Sequence, residues 1–580
     1  MDIRAPGHDR TGEHADTAPV RGTPARARRA ARRRAAGLRR ALYRAVLAAG
    51  APFARLDRTR PAGLPDGRAA EGRRGLRGTA LLSAVPLALV AGAGLQPPAA
   101  ADDGASATRS QGTPASIPDA VPEGLRPFYT QRIDWETCGA VVQCGELQVP
   151  MDYADPAAGT IRLSLARVRA TDPADRIGSL LYNPGGPGAS GVDAVKSAAG
   201  MLATPGVAAR YDVVSFDPRG VGESAPVRCA PVRTAGDAPV DITPDTPAEV
   251  DGFVRSAREN AAACGSGTGP RLGHVSTLET ARDMDVLRAV LGDPKLNYLG
   301  VSYGTYLGTL YADLFPDRVG RLTLDAAVDP RLDALESLRG QTAGFQRALD
   351  AFLADCTKRP ECPLGTDPAK ATKRLTDLLA RLDRAPLPAG RAGLLDRDTT
   401  VVIMAQSLYS KDSWPALESA LGAALAGNGT KFSELVEGAD DTAFGQSFQA
   451  ISCLDLPPAV TSSERLRAEL PSFRQASPVF GEWLGWSALS CAEWPVAAVG
   501  TPRTITAPGT PPILVVGTTR DPATPYAWAE GLAGQLESGV LLTRDGDGHS
   551  GYNVGNPCVD RAVDRYLIEG LPPADGTRCA

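Results

Sequence analysis

Leu296-Asn-Tyr-Leu-Gly300-Val-Ser302-Tyr-Gly304-Thr-Tyr-Leu-Gly-Thr-Leu-Tyr-Ala-Asp-Leu-Phe315 decides how this chain is read. An apolar run from Leu296 to Leu299 leads into a Gly-x-Ser-x-Gly pentapeptide, and the residues from Thr305 to Phe315 continue with helical character. A serine standing at a sharp strand-to-helix turn needs glycine on both flanks, because a side chain there would collide with neighbouring backbone. In a chain with 62 glycines the pentapeptide could arise in an ordinary turn; what distinguishes it is the apolar strand before it and the helix after it.

Outward from this turn, the runs Ser179 to Asn183, Tyr211 to Phe216 and Leu296 to Leu299 each end in glycine-rich or acidic turns, and helical patterns such as Thr277 to Leu291 separate them. Gly145 to Val149 and Thr160 to Val168 read as earlier strands. Arg321 to Leu324, Pro512 to Gly517 and Val540 to Thr543 read as later ones. Buried strands alternating with helices predict a mostly parallel sheet with helices on both faces; with the serine turn, the expectation is an α/β-hydrolase fold. Between Asp329 and Thr501 the strand pattern stops. Helical segments such as Leu338 to Cys356 and Ala369 to Leu382 take over, with four of the ten cysteines and four of the six tryptophans. The expected organisation is a core formed by residues 131–329 and 501–580, a mostly helical lid inserted over 330–500, and a leader segment over 102–130.

A nucleophilic serine needs a base. The chain has four histidines: His8 and His14 lie near the start, and His274 precedes Ser302, the wrong order for this fold. His549, in Asp545-Gly-Asp-Gly-His-Ser550 after the last expected strand, stands where the fold supplies its histidine. Asp521, in Gly517-Thr-Thr-Arg-Asp521-Pro, follows a strand between serine and histidine and would hold the imidazole tautomer; Asp545 and Asp547 read as turn formers. Backbone donors for a developing oxyanion are expected from Asn183-Pro-Gly-Gly-Pro-Gly188. There Pro184 and Pro187 have no N–H, so Gly185, Gly186 or Gly188 must serve, with Gly186 favoured; Tyr303 would give the second N–H. The same glycines also suit a tight turn needing positive φ. Asp217-Pro-Arg-Gly-Val-Gly-Glu-Ser224 reads as a structural loop beneath the site, with substrate contact by Arg219 or Glu223 as the alternative.

The net charge of −4 hides an asymmetry: residues 1–101 hold 19 of the 62 basic residues and 7 of the 66 acidic ones, leaving 43 against 59 in the remainder. So acidic a body argues against nucleic-acid binding. Residues 1–72 read as a disordered basic extension or a mis-assigned start. Residues 73–101, with Arg73-Arg-Gly-Leu-Arg77, an apolar stretch from Thr79 to Leu95 and small residues to Ala101, read as a signal peptide cleaved after Ala101. A retained membrane anchor is the competing reading; the stretch is short for a span and holds Pro86. The ten cysteines fall beyond Ala101 as near neighbours: Cys138 with Cys144, Cys229 with Cys264, Cys356 with Cys362, Cys453 with Cys491, Cys558 with Cys579. In an exported chain this argues for disulfides, with connectivity left open, and against a zinc site, since no Cys-x-x-Cys is present.

Together, Trp135 with Cys138 and Cys144, Val149-Pro-Met-Asp-Tyr153, Asn183-Pro-Gly-Gly-Pro-Gly188, Phe216-Asp-Pro-Arg-Gly-Val-Gly-Glu-Ser224, Gly300-Val-Ser-Tyr-Gly304, Cys491 with Trp494-Pro495, and the Asp521 and His549 loops resemble the tripeptidyl aminopeptidase family of secreted actinobacterial α/β hydrolases, relatives of proline iminopeptidases. The resemblance implies cleavage of short peptides from a free N-terminus, without metal or organic cofactor. A cationic α-amino group calls for a carboxylate at a fixed distance from the nucleophile, and Glu493, then Glu482, are the candidates from the lid. Trp483, Trp486 and Trp494 could line an apolar subsite or pack the lid core. An esterase or lipase of the same fold would use the same three residues. A catalytically inactive binding module is the alternative of another class.

Overall fold

Along the strand Ile513–Arg520, Ile513 and Val515 pack into one apolar cluster with Leu307 and Leu532, whereas Leu514 and Val516 pack into another with Tyr566 and Leu567. Leu181 and Leu180 divide in the same way. Side chains that alternate across a pleat bury both faces of a sheet when helices cover both, and that is the arrangement here.

The computed structural model describes residues 121–580 apart from 199, 232–239, 391–392 and 436–441; the expected basic extension, the signal peptide and residues 102–120 of the leader lie outside the described residues. The strands are β1 (Glu136–Thr137), β2 (Val142–Pro150), β3 (Thr160–Val168), β4 (Gly178–Asn183), β5 (Tyr211–Phe216), β6 (Leu296–Val301), β7 (Val319–Asp325), a separate hairpin of β8 (Leu387–Pro388) and β9 (Leu394–Leu395), β10 (Ile513–Arg520), β11 (Gly539–Asp547) and β12 (Thr577–Cys579). The large sheet runs β1-β2-β3-β5-β4-β6-β7-β10-β11-β12. Its first pairings, up to β3 with β5, are antiparallel; every pairing from β5 to β12 is parallel. This is the α/β-hydrolase fold. Strand order reverses around β4, and its register with β6 sets Asn183 opposite Gly300. The turns leaving these two strands therefore lie side by side, at the crevice where open α/β sheets bind ligands.

Between β7 and β10 the chain is helical except for the β8–β9 hairpin and connecting turns, among the described residues. Asp333 with Glu336 forms a capping box on Ala334–Cys356, and Asp367, Asp396 and Ser462 cap later helices through their side chains. The helices enclose their own apolar cluster, which includes Phe352, Leu378, Met404, Trp414 and Trp483. Residues before β6 join the insertion's packing: Ile242 lies in that cluster, and Phe253, on the helix Pro247–Thr268, packs in a second one against Trp486 with ring centroids 5.6 Å apart. Trp483 and Trp486 are thus core residues of the insertion.

Five disulfides join the near neighbours in sequence: Cys138–Cys144, Cys229–Cys264, Cys356–Cys362, Cys453–Cys491 and Cys558–Cys579. Among the described residues no helix is long and apolar enough to cross a membrane.

Candidate functional site

Ser302 sits between β6 and the helix Tyr303–Leu314 with φ 58° and ψ −124°, a backbone conformation that costs a non-glycine residue roughly 1–3 kcal/mol. Its surroundings hold it there. The Ser302 N–H donates to the Asp325 carbonyl at 2.9 Å, and its carbonyl accepts from Thr305 N at 2.8 Å and Thr305 Oγ1 at 2.6 Å. The flanking glycines are sterically required. A β-carbon at Gly300 would lie 2.4 Å from the Gly304 carbonyl oxygen, and one at Gly304 would lie 2.9 Å from both Asn183 oxygens.

His549 and Asp521 meet at the ends of β11 and β10 with both side chains fully buried. The imidazole Nδ1 stands 2.9 Å from each Asp521 carboxylate oxygen, so the N–H belongs on Nδ1 and the lone pair on Nε2. Nε2 is buried with no hydrogen-bond partner among the described residues. Asp521 is itself fixed by the N–H groups of Ala523 and Thr524 at 2.9 Å and of Ser550 at 3.4 Å. Thr524 Oγ1 lies 3.4 Å from the same Nδ1.

Three contacts around this pair had no mark in the local sequence. Asp325, at the end of β7, gives its carbonyl to Ser302 N, while its carboxylate accepts from Gly551 N at 2.8 Å and Tyr552 N at 2.9 Å. One residue thereby ties the serine turn to the loop just past His549. Burial pushes the Asp325 carboxyl up to about 6, against the pull of those two N–H groups. The insertion supplies Tyr409, whose carbonyl accepts from His549 N at 2.8 Å and whose ring stands edge-on to the imidazole with centroids 5.0 Å apart. Finally, Asn183 Oδ1 takes the Gly185 N–H at 3.0 Å.

That last bond narrows the choice in the glycine turn, since it leaves Gly186 and Gly188 as donors. Gly185 crosses directly over the serine: a β-carbon there would lie 3.0 Å from Ser302 Cβ and 3.3 Å from Tyr303 N. Tyr303 is the first residue of its helix, where backbone N–H groups have no intrahelical acceptor.

Within the Asp217 loop, Asp217 and Arg219 are structural. Asp217 accepts from Ser190 Oγ, Val192 N and Glu223 N, and the Arg219 guanidinium is fully buried. Its five N–H groups go to Asp283, Met151 O, His274 O and Pro150 O, which leaves none for a substrate.

The lid carboxylates proposed for an amine are engaged elsewhere. Glu493 pairs with Arg258 Nη2 at 2.8 Å, and Glu482 takes Arg474 through Nε at 2.6 Å and Nη2 at 2.9 Å while also accepting from Trp486 Nε1. Trp494 packs against the cluster of Tyr303, Val275 and Ile451, beside the serine helix. Among the described residues no group of three His, Cys, Asp or Glu side chains is placed to hold a metal ion.

A family model described as "TAP-like protein" matches residues 477–579. Over 502 residues the chain is 38% identical to the serine protease Hip1 of Mycobacterium tuberculosis, covering 78% of this chain and 92% of that one. It is 35% identical over 478 residues to the tripeptidyl aminopeptidase of Streptomyces lividans, covering 77% and 86%. It is also 36% identical over 521 residues to carboxylesterase B of Mycobacterium tuberculosis, covering 86% and 96%.

Proposed function

This chain belongs to the TAP-like family of α/β hydrolases and is a serine hydrolase, and we propose that it is an exported exopeptidase releasing short peptides, tripeptides among them, from free N-termini. The observation that carries the reading is the buried His549–Asp521 pair, its Nε2 without a hydrogen-bond partner among the described residues, with the loop just past His549 tied to the same Asp325 that holds the backbone of Ser302. Ser302 Oγ attacks the scissile carbonyl as its proton passes to His549 Nε2, and Asp521 stabilises the imidazolium that forms. The N–H groups of Gly186 and Tyr303 receive the oxyanion. Collapse of the tetrahedral intermediate breaks the C–N bond, and the leaving amine takes the proton from His549. Water, deprotonated by the same Nε2, then releases the acyl peptide and restores Ser302.

Export is supported by the signal-like order of residues 73–101 and by the five disulfides, which persist in oxidising compartments. Neither Glu493 nor Glu482 is carried forward as the amine anchor, since a substrate cation would have to displace an arginine. Carboxylesterase activity is the second reading, favoured by the carboxylesterase B relative.

One experiment separates them. The mature protein is incubated with matched free and N-acetylated peptides and with simple esters, and the products are weighed. The proposal expects cleavage of free peptides, loss of it on acetylation, and a drop of at least roughly a thousandfold in Ser302→Ala. Equal turnover of acetylated and free peptides defeats the exopeptidase mode, and turnover of esters alone defeats the peptidase reading.

A further inference from the structure

The helix Thr442–Asp455 belongs to the insertion, yet it reaches both donors of the oxyanion pocket. Near its start, Phe444 bears on the glycine turn: a β-carbon at Gly186 would lie 3.2 Å from Phe444 Cε2, and one at Gly188 would lie 2.9 Å from Phe448 N. Ser447 Oγ donates to the Gly220 carbonyl at 2.7 Å, and Cys453 is bonded to Cys491. At its end, the buried Asp455 carboxylate accepts the Thr277 N–H at 2.8 Å and the Thr277 hydroxyl. The Thr277 oxygen in turn meets the Tyr303 hydroxyl.

Asp455 is an unusual residue for this position. It makes no ion pair among the described residues, and burial pushes its carboxyl up to about 7 against the pull of Thr277. The other titratable groups facing it are the Tyr303 and Tyr306 hydroxyls, themselves raised by burial. A buried carboxylate without a cation is destabilising where packing is all that is needed, and such groups gather at functional sites. When it is ionised it can only accept. That fixes the direction of the chain: the Tyr303 O–H donates to Thr277 Oγ1, and the Thr277 O–H donates to Asp455.

We propose that Asp455 is a positioning residue of the oxyanion hole, holding through Thr277 the side chain of Tyr303 and with it the N–H that follows the nucleophile. The inference rests on the serine-nucleophile reading above. An oxyanion donor acts by being oriented before charge develops, and losing one outright lowers kcat on the order of 10²–10³-fold. Letting Tyr303 relax misdirects its N–H without removing it, so the expected loss is smaller.

The test uses the mature protein with a p-nitrophenyl ester and a peptide aldehyde, whose hemiacetal with the serine carries an oxyanion. Asp455→Asn offers one acceptor where two are needed, and Thr277→Val removes the middle link at constant volume. Each is expected to lower kcat about tenfold with KM within about twofold, and to weaken the aldehyde in parallel. The double variant is expected to match the single ones, because both cut the same chain. Turnover of the ester retained in Ser302→Ala would sink the nucleophile reading and this inference with it. Unchanged kcat in folded Asp455→Asn, with Ser302→Ala inactive, would overturn this inference alone, as would losses that multiply in the double variant or fall on KM with the aldehyde unaffected. Should Asp455→Asn fail to fold, Thr277→Val decides by the same readouts.

Discussion

Asp521 at the end of β10 accepts from four donors, Ala523 N, Thr524 N, Ser550 N and His549 Nδ1, all supplied by the two neighbouring strand-end loops. Two buried carboxylates of the insertion are held differently. Among the described residues Asp455 accepts from Thr277 alone, and Asp398 from Ile242 N and Thr243 Oγ1, in both cases residues that precede β6. The Asp521 carboxylate is thus held within the sheet half, whereas Asp455 and Asp398 each tie the insertion to an earlier segment. A site meant to hold a strained serine and a buried imidazole needs the first kind of support. The second kind tolerates change in the covering helices, and it concentrates their influence on the site in a few residues.

Breaking the hold within the sheet half should have the largest effect. Asp521→Asn turns one of the two oxygens at His549 Nδ1 into an NH₂ donor that favours the wrong tautomer and removes the charge that stabilises the imidazolium, and the expected loss in kcat is about 10³–10⁴-fold with the fold retained, checked by steady-state kinetics beside circular dichroism. A loss under tenfold would mean that another group orients the imidazole. Asp325→Asn attacks the same half less directly. One carboxylate oxygen becomes an NH₂ facing the donors Gly551 N and Tyr552 N, and the serine turn and histidine loop lose part of their common tether. The expected drop in kcat is about 10–100-fold with little change in KM.

The insertion's ties should show in stability. The Asp398 carboxyl is pushed up to about 7, first by burial and then by Asp241 and Asp396. With its folded value above its unfolded one, its contribution is fully present below about pH 4 and is lost as pH rises through about 7. The difference in melting temperature, Asp398→Asn minus unmodified, should therefore climb between pH 4 and pH 8, whatever constant offset the lost hydrogen bond adds. A difference independent of pH would mean that Asp398 ionises as freely in the folded protein as in the unfolded chain.

The same contrast explains what could be read beforehand. Strands β3 and β5 are found where the apolar runs place them, and β4, β6, β7, β10 and β11 extend them by a few residues, because a strand buried on both faces writes its pattern in its own side chains. The edge strands β1 and β12 and the β8–β9 hairpin are two or three residues long, too short to carry a pattern. Ser302, Asp521 and His549 could be named from turn chemistry and chain order, and the structure brings Asp521 and His549 into contact. Asp325, Tyr409 and Asp455 could not. Asp455 lies 178 residues from the Thr277 it bonds, and an aspartate at a helix end looks locally like any other.

Glu493 is where physical expectation and packing diverge most plainly, and the smallest effect is expected there. A carboxylate beside Trp494, in the insertion of a proposed exopeptidase, suits a substrate amine, but the ion pair with Arg258 is exposed on both sides, with 44% of the Glu493 side chain and 64% of the Arg258 side chain accessible. Such a pair is worth about 0–1 kcal/mol, and Glu493→Gln should leave melting temperature and kcat/KM for free peptides within about twofold of the unmodified protein. The informative quantity is the ratio of free to acetylated substrate. If Glu493→Gln left esters untouched but collapsed that ratio, Arg258 would be only a resting partner that the substrate amine displaces, and the insertion would touch the substrate itself through this residue while supporting the site through Tyr409 and Asp455.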